Sequence, residues 1–334
     1  MKEAMKFSIK VLVTVIWGLG LTACSPEPSS GSENTAATYS GGEKTALVVN
    51  VDGLRLRDRA GEEGRVVREL PKGAVLYDLG EVSSFTTPLR LRGIEFDEPW
   101  LKVVTEDGTE GWVYGGALHF EMDRPSELAR LLMEKRLQTF FGKGLTAEVE
   151  AYRLSFHEIR EVADFVRTYR RGQSLRDTLV GLLDSRIEVG ARDELPDLFW
   201  LSEALPGYVP QLVAEGAAYY LFADYRRFLE RARRTPGRED DAFVGFCLRV
   251  FPEDSIEYFY PVWSLQTWDY GGHSLLGRGI HRSLLAEIDR LWGDSDRFHP
   301  ELRRYKQDLL NDITRPDVTY WEERQIALAE VDSI

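Results

Sequence analysis

Two cysteines in 334 residues, Cys24 and Cys247, are too few for a disulfide framework. Long apolar runs are missing as well. Only Val11 to Leu21 is uncharged and mostly apolar, which is short of the ~20 residues a helix needs to cross a bilayer. Positive charge is scarce: 42 Lys and Arg stand against 55 Asp and Glu, for a net charge of −13. That balance argues against nucleic acid as a partner, and against holding an anionic membrane face by charge alone. No phosphate loop, dinucleotide fingerprint, catalytic triad or metal motif can be read along the chain, so no cofactor is expected. The nearest approach to a metal motif is His157-Glu158-Ile159-Arg160-Glu161. It carries Glu161 where a second His would have to stand to put two nitrogens on one ion. No fixed repeat period is visible either, which gives no support to a solenoid.

What is present is a chain long enough for two domains, 43% hydrophobic and therefore able to bury a core. Its first residues have their own pattern. Lys2, Lys6 and Lys10 make a basic start, Val11 to Leu21 make an apolar centre, and Thr22 and Ala23 put small residues before Cys24. The stretch Leu21-Thr22-Ala23-Cys24 resembles a bacterial lipobox. The resemblance implies a lipoprotein signal peptide over 1–23, lipidation at Cys24, and a body tethered to a membrane by acyl chains. Each buried methylene contributes about 0.8 kcal/mol, so more than one chain makes the attachment stable. Ser25 rather than Asp after the cysteine points to the outer membrane, facing the periplasm, where the organism has one. An ordinary secretory signal with Cys24 incidental is the alternative. With the three Lys and one Glu of residues 1–23 removed, the remainder has a charge of about −15. If Cys24 is acylated, Cys247 has no partner in the chain. Its setting, Phe243-Val-Gly-Phe-Cys-Leu248, reads as that of a buried inert thiol.

Residues 24–44 are rich in Ser, Gly, Thr, Ala and Pro and read as a flexible linker. From Ala46 the pattern becomes short alternating runs: Ala46 to Val51, Leu54 and Leu56 between Arg55 and Arg57, and Arg65 to Leu70 before the turn Pro71-Lys72-Gly73. Val75 to Leu79 follows. Then Trp100 to Val104 and Glu110 to Tyr114 flank Asp107-Gly108, a hairpin signal because Gly supplies the positive φ of the turn. Five or so short strands in this span suggest a small barrel.

Four of these runs, in order, are similar to those of the bacterial SH3-like domain: Gly53-Leu-Arg-Leu-Arg-Asp58, Leu70-Pro-Lys-Gly73, Trp100-Leu-Lys-Val103 and Gly111-Trp-Val-Tyr-Gly-Gly-Ala-Leu118. The resemblance covers about 45–119. It departs from the family at Arg57-Asp-Arg-Ala-Gly61, and at Val82 to Glu98, which is longer than the usual connection. There Leu89, Leu91 and Ile94 suggest an extra hairpin able to reshape or cover a groove. The family binds and targets, often to cell-wall peptides or glycans, so the resemblance implies recognition rather than catalysis. Trp100, Trp112 and Tyr114 are its candidate aromatics, with Arg55 and Arg57 as a basic face. Barrel core is the favoured reading of Trp100 and Trp112, and Tyr114 with the Arg55/Arg57 face are the better surface candidates.

After Phe120 the hydrophobic period lengthens to about 3.6. Leu128 to Phe141 reads as one helix, stopped by Gly142 and Gly144. Ser155-Phe-His-Glu158 is a capping-box pattern opening a second helix to Gly172, and Ser174 can cap a third through Leu183. Further helices are expected near 194–205, 211–234, 239–251, 279–292, 300–312 and 318–331. The expectation for 120–334 is thus an all-α domain after a small all-β SH3-like barrel. Within it, Tyr258, Tyr260, Trp263, Trp268 and Asp269 form the densest aromatic cluster, next to Gly271-Gly272 and Gly277-Arg278-Gly279. They are candidates for a pocket, and core packing is the competing explanation. The glycine loop could cradle an anion at a helix start, but no strand precedes it as a nucleotide fingerprint requires, and it reads as a plain loop. The basic run Arg226-Arg227 and Arg231 to Arg234 reads as a solvated face.

The function expected from this pattern is a non-catalytic, membrane-anchored envelope lipoprotein. Its partners would be the membrane, through the lipid, and peptidoglycan or another envelope protein. One alternative is a cell-wall hydrolase, since a glycosidase needs only two carboxylates and Glu215, Asp224, Glu257 and Asp269 are available. Another is a structural partner of an outer-membrane assembly.

Overall fold

The computed structural model describes residues 37–38, 46–92, 94–120, 125–186, 198–213, 218–252, 260–266, 272–315 and 317–334. The first part is a sheet built from β1 (Ala37–Thr38), β2 (Ala46–Val49), β3 (Leu54–Arg57), β4 (Val66–Leu70), β5 (Val75–Leu91), β6 (Ile94–Thr105), β7 (Glu110–Tyr114) and β8 (Leu118–His119). Seven strands run antiparallel in the order β4-β3-β7-β6-β5-β2-β8, and β1 pairs with β5 off that path.

This is not the small barrel expected. The sheet curls but stays open, with β4 and β8 as unpaired ends of the path among the described residues. The cause lies in the long connection at Val82 to Glu98. It lengthens β5 to 17 residues and β6 to 12, so one hairpin runs from Val75 to Thr105. Leu91 pairs with Ile94 and Leu89 with Phe96 at its far end. Register shifts between Asp78 and Glu81 and between Val82 and Thr86 bend it. Such irregularities increase local twist and curl a sheet.

The helical part is α1 (Glu127–His157), α2 (Val162–Arg186), α3 (Leu201–Ala204), α4 (Tyr225–Ala232), α5 (Glu239–Val250), α6 (Ile280–Asp294), α7 (His299–Thr314) and α8 (Arg324–Val331). It is not all-α. A hairpin of β9 (Tyr208–Val213) and β10 (Ala218–Ala223) stands inside the span expected as one helix from 211 to 234, and β11 (Ser264–Leu265) pairs with β12 (His273–Ser274). In β10, Tyr219 and Leu221 are buried while Tyr220 is exposed, the period-two alternation of a strand.

The helix ends also differ from expectation. Gly142 does end the first helical stretch of α1, with a non-helical φ of 79° and ψ of 165°, but a second stretch follows at once and runs to His157. Ser155 lies inside α1, where its hydroxyl donates to the Ala151 carbonyl, and Ser174 lies inside α2. The cap of α1 is Ser126, whose Oγ accepts from Ala129 N at 3.1 Å.

One hydrophobic core runs from the sheet into the helices. Phe96 of β6 meets Phe140 of α1 edge-on at 5.9 Å. Further in, Phe228 touches Phe156, Phe165, Tyr169 and Tyr208, and Phe243 stacks on Phe298 at 4.1 Å. Each such ring contributes about 1.5–3 kcal/mol by leaving water, and edge-to-face pairs add about 0.5–1.5 kcal/mol more. That aromatic mass holds α2, α4, α5 and the β9–β10 hairpin in fixed relation.

Candidate functional site

The aromatics nominated on the sheet are core. Trp100 is buried and donates from Nε1 to Thr87 Oγ1 at 2.8 Å. Tyr114 is buried and donates to the Thr87 and Phe96 carbonyls. Thr87 and Phe96 both belong to the extended β5–β6 hairpin, so the insertion covers the rings that an SH3-like groove would display. Trp112 is half-buried. Arg57 donates to the Gly64 carbonyl and lies 5.7 Å from the Trp100 ring centre. Arg55 is exposed and faces Glu69 at 3.8 Å.

In the second part, Trp263 is buried in the core, and Tyr260 is half-buried. Tyr258, Trp268 and Asp269 lie outside the described residues, as do Cys24, Glu215 and Glu257. The named candidates are therefore not brought together as one site among the described residues.

The glycine loop does cradle an anion, and the anion is the chain's own. Glu330 of α8 accepts from Gly277 N at 2.5 Å, Gly279 N at 2.9 Å and Arg282 N at 3.0 Å. Those donors sit at the start of α6, where the helix dipole favours negative charge. Arg278 pairs with Glu322 beside it, and Ser274 N donates to the Thr319 carbonyl. The loop is thus a dock for the C-terminal segment. Behind it, Ser274 Oγ and His281 Nε2 both end on Asp312 Oδ2, at 2.5 and 2.8 Å. A hydroxyl and an imidazole sharing one carboxylate oxygen form a structural knot, unlike a relay in which the imidazole stands between the other two groups. His157 ends α1 and accepts at Nδ1 from Arg231, while Glu161 precedes α2, so the two do not share a helix face. Cys247 is buried, burial pushes its thiol up to about 12, and it accepts from the Tyr305 hydroxyl at 3.6 Å. Such a thiol is not a nucleophile at neutral pH.

A concavity with defined walls lies elsewhere, between the β9–β10 hairpin, α2, α4 and the end of α5. Two cavities of about 370 Å³ each adjoin there and share Phe222, Ala223, Tyr225 and Phe251. The chain matches no family model, no curated protein and no solved structure. The cleft has to be understood from its own walls.

One lobe is lined by Val213, Tyr220 and the shared residues, with Arg176 its charged side chain among those described. The other adds Asp224, Arg226, Arg227 and Glu230, two charges of each sign. Asp224 is already committed, since its Oδ1 accepts from Arg227 N at 3.0 Å and caps α4. The walls are aromatic pairs: Tyr220 with Phe222 at 4.7 Å, and Tyr225 stacked on Phe251 at 6.1 Å. Mostly apolar walls with a few placed polar groups suit a small-molecule pocket. No sequence motif announced it. Arg176 is a single basic residue in a helix, and Tyr219-Tyr220-Leu221-Phe222 sits in an Ala-rich stretch whose composition also fits a helix. Only the strand pairing turns Tyr220 outward and makes it a wall.

Proposed function

We propose that this chain is a lipid-anchored envelope protein that binds its ligand without turning it over, with the cleft at β9–β10 as its binding element. The observation that carries the reading is the run Leu21-Thr22-Ala23-Cys24, set between an apolar segment and a Ser/Gly-rich stretch. That run supports a body tethered through an acylated cysteine. The cleft supports binding over turnover. Of the two carboxylates lining it among the described residues, Asp224 is held as a helix cap, which leaves Glu230 without the second acid that hydrolysis of a glycoside needs. Ser25 after the cysteine extends the proposal to the periplasmic face of the outer membrane.

The test is metabolic labelling with an alkynyl palmitate in a Gram-negative host. The full chain should take up the label and sediment with membranes in high salt. Cys24→Ser should lose the label and leave the acylated membrane fraction. An unlabelled wild type, or equal labelling of the two chains, refutes the anchor.

A further inference from the structure

We propose that the cleft takes a small carboxylate with an aromatic or aliphatic body, its head group held by Arg176. The inference rests on the reading above that this cleft is the binding element, and it deepens that reading by naming the ligand class.

Two observations converge on Arg176. The first is its partner. Nε and Nη2 both donate to the same oxygen, Asp177 Oδ1, at 2.9 and 2.6 Å. Asp177 is the next residue on α2, and neighbours at i, i+1 point away from each other around a helix. The Arg176 side chain is 17% exposed while that of Asp177 is 66% exposed. An ion pair with so exposed a partner contributes little. It also leaves the guanidinium short of the two-oxygen, parallel engagement it is shaped for. A ligand carboxylate entering the cleft offers that engagement in a drier place, and Asp177 can return to water when it is displaced.

The second is the wall. The Tyr220 ring centre lies 5.9 Å from the Arg176 guanidinium carbon, a contact that steadies the cation over the cavity. Tyr220 with Phe222 and Tyr225 with Phe251 then give flat apolar faces for the body of the ligand.

The chain as a whole, at −13, repels anions. Affinity must therefore come from this one desolvated cation rather than from long-range steering, and it should not fall as salt rises.

The experiment uses the full chain carrying Cys24→Ser, so that no acyl group competes, and two probes of matched shape, 4-phenylbutyrate and 4-phenylbutan-1-ol. Ligand-observed NMR titration should show the carboxylate binding at least tenfold more tightly than the alcohol. Arg176→Gln should bring the carboxylate down to the alcohol's level and leave the alcohol unchanged. Tyr220→Ala should weaken both alike. Asp177→Asn leaves Arg176 in place and removes its competitor, so it should tighten the carboxylate several-fold without touching the alcohol. Equal binding of the two probes, both weakened by Tyr220→Ala, would overturn the carboxylate and leave the cleft as a binding site. So would an Asp177→Asn chain with unchanged or weaker carboxylate affinity. No binding of either probe, or binding indifferent to Tyr220→Ala, would overturn the cleft itself.

Discussion

Arg136 of α1 donates from Nε to Glu98 of β6 at 2.5 Å, and both side chains are almost wholly buried, at 2% and 1% exposed. The same guanidinium donates from Nη2 to the Gly115 and Leu118 carbonyls, at 2.8 and 2.9 Å, and lies over the rings of Phe96 and Phe120. One cation thus joins the first helix to the sheet and satisfies the backbone at the sheet's last turn. Gly115 itself cannot be enlarged, because a Cβ there would lie 2.8 Å from the Pro99 carbonyl and 3.1 Å from Glu98.

Breaking that pair should be costly in one direction only. Removing a single partner leaves an uncompensated buried charge, for which about 3–5 kcal/mol is typical. Glu98→Gln and Arg136→Met should each lose about that much in urea unfolding. The double change Glu98→Leu with Arg136→Met should recover a large part of it, since an apolar pair needs no desolvation of charge. A double variant as unstable as either single one would show that the carbonyl bonds of Arg136, not its charge, hold the helix to the sheet.

Glu330 offers a test in pH. Burial acts to raise its carboxyl, but the N–H groups of Arg282, Gly279 and Gly277 outweigh burial and hold it below the ordinary glutamate range. An acid lowered in the folded state adds stability above its unfolded pKa, and loses it as pH falls through the folded value. Glu330→Gln should therefore cost about 1.5–3 kcal/mol at pH 7, the range for a charged hydrogen bond. The gap between the two chains should be flat above about pH 5 and narrow below the ordinary glutamate range. A gap that persists unchanged at pH 3 would mean that shape, not charge, seats the C-terminal helix.

Much of the local structure was legible in the sequence. Asp107-Gly108 does turn β6 into β7, with Thr105 N donating to the Thr109 carbonyl across it. The helices expected at 239–251, 279–292 and 300–312 correspond to α5, α6 and α7, because their apolar residues recur at helical spacing. What escaped was set by distant partners. Glu98 and Arg136 are 38 residues apart, and Glu330 reaches a loop 53 residues upstream. The glycine loop reads as a plain loop in the sequence, because nothing local says that Glu330 will fill it. The half-barrel escaped for a related reason: the motifs of the short strands are intact, but the long hairpin between them decides whether the sheet closes. The cleft depends on the β9–β10 pairing, and its aromatic residues do not by themselves separate strand from helix.

Gly207 carries a conformational demand that can be measured. It turns the chain into β9 with φ at +91°, which side chains other than glycine rarely adopt. A Cβ there would sit 2.7 Å from the Phe228 ring, at the centre of the aromatic core. Gly207→Ala therefore combines backbone strain with overpacking, each typically about 1–3 kcal/mol. The variant should unfold at clearly lower urea than Gly181→Ala. Gly181 lies on α2, where nothing stands within 4 Å of a Cβ and alanine suits a helix interior better than glycine. If the two variants unfold together, the turn at Gly207 is not under the constraint described.

Cys247 makes the sharpest chemical prediction. Its sulfur lies on the buried face of α5, among Phe246, Val250 and Tyr305, and its thiol is pushed up to about 12. Burial keeps the thiol protonated at pH 8, and the core screens it from solvent. Iodoacetamide should leave Cys247 untouched in the native chain and modify it at the rate of global unfolding, rising in step with the urea transition. Labelling of the folded chain that outpaces its unfolded population would mean that the α5–α7 contact opens locally and exposes the sulfur beside Tyr305.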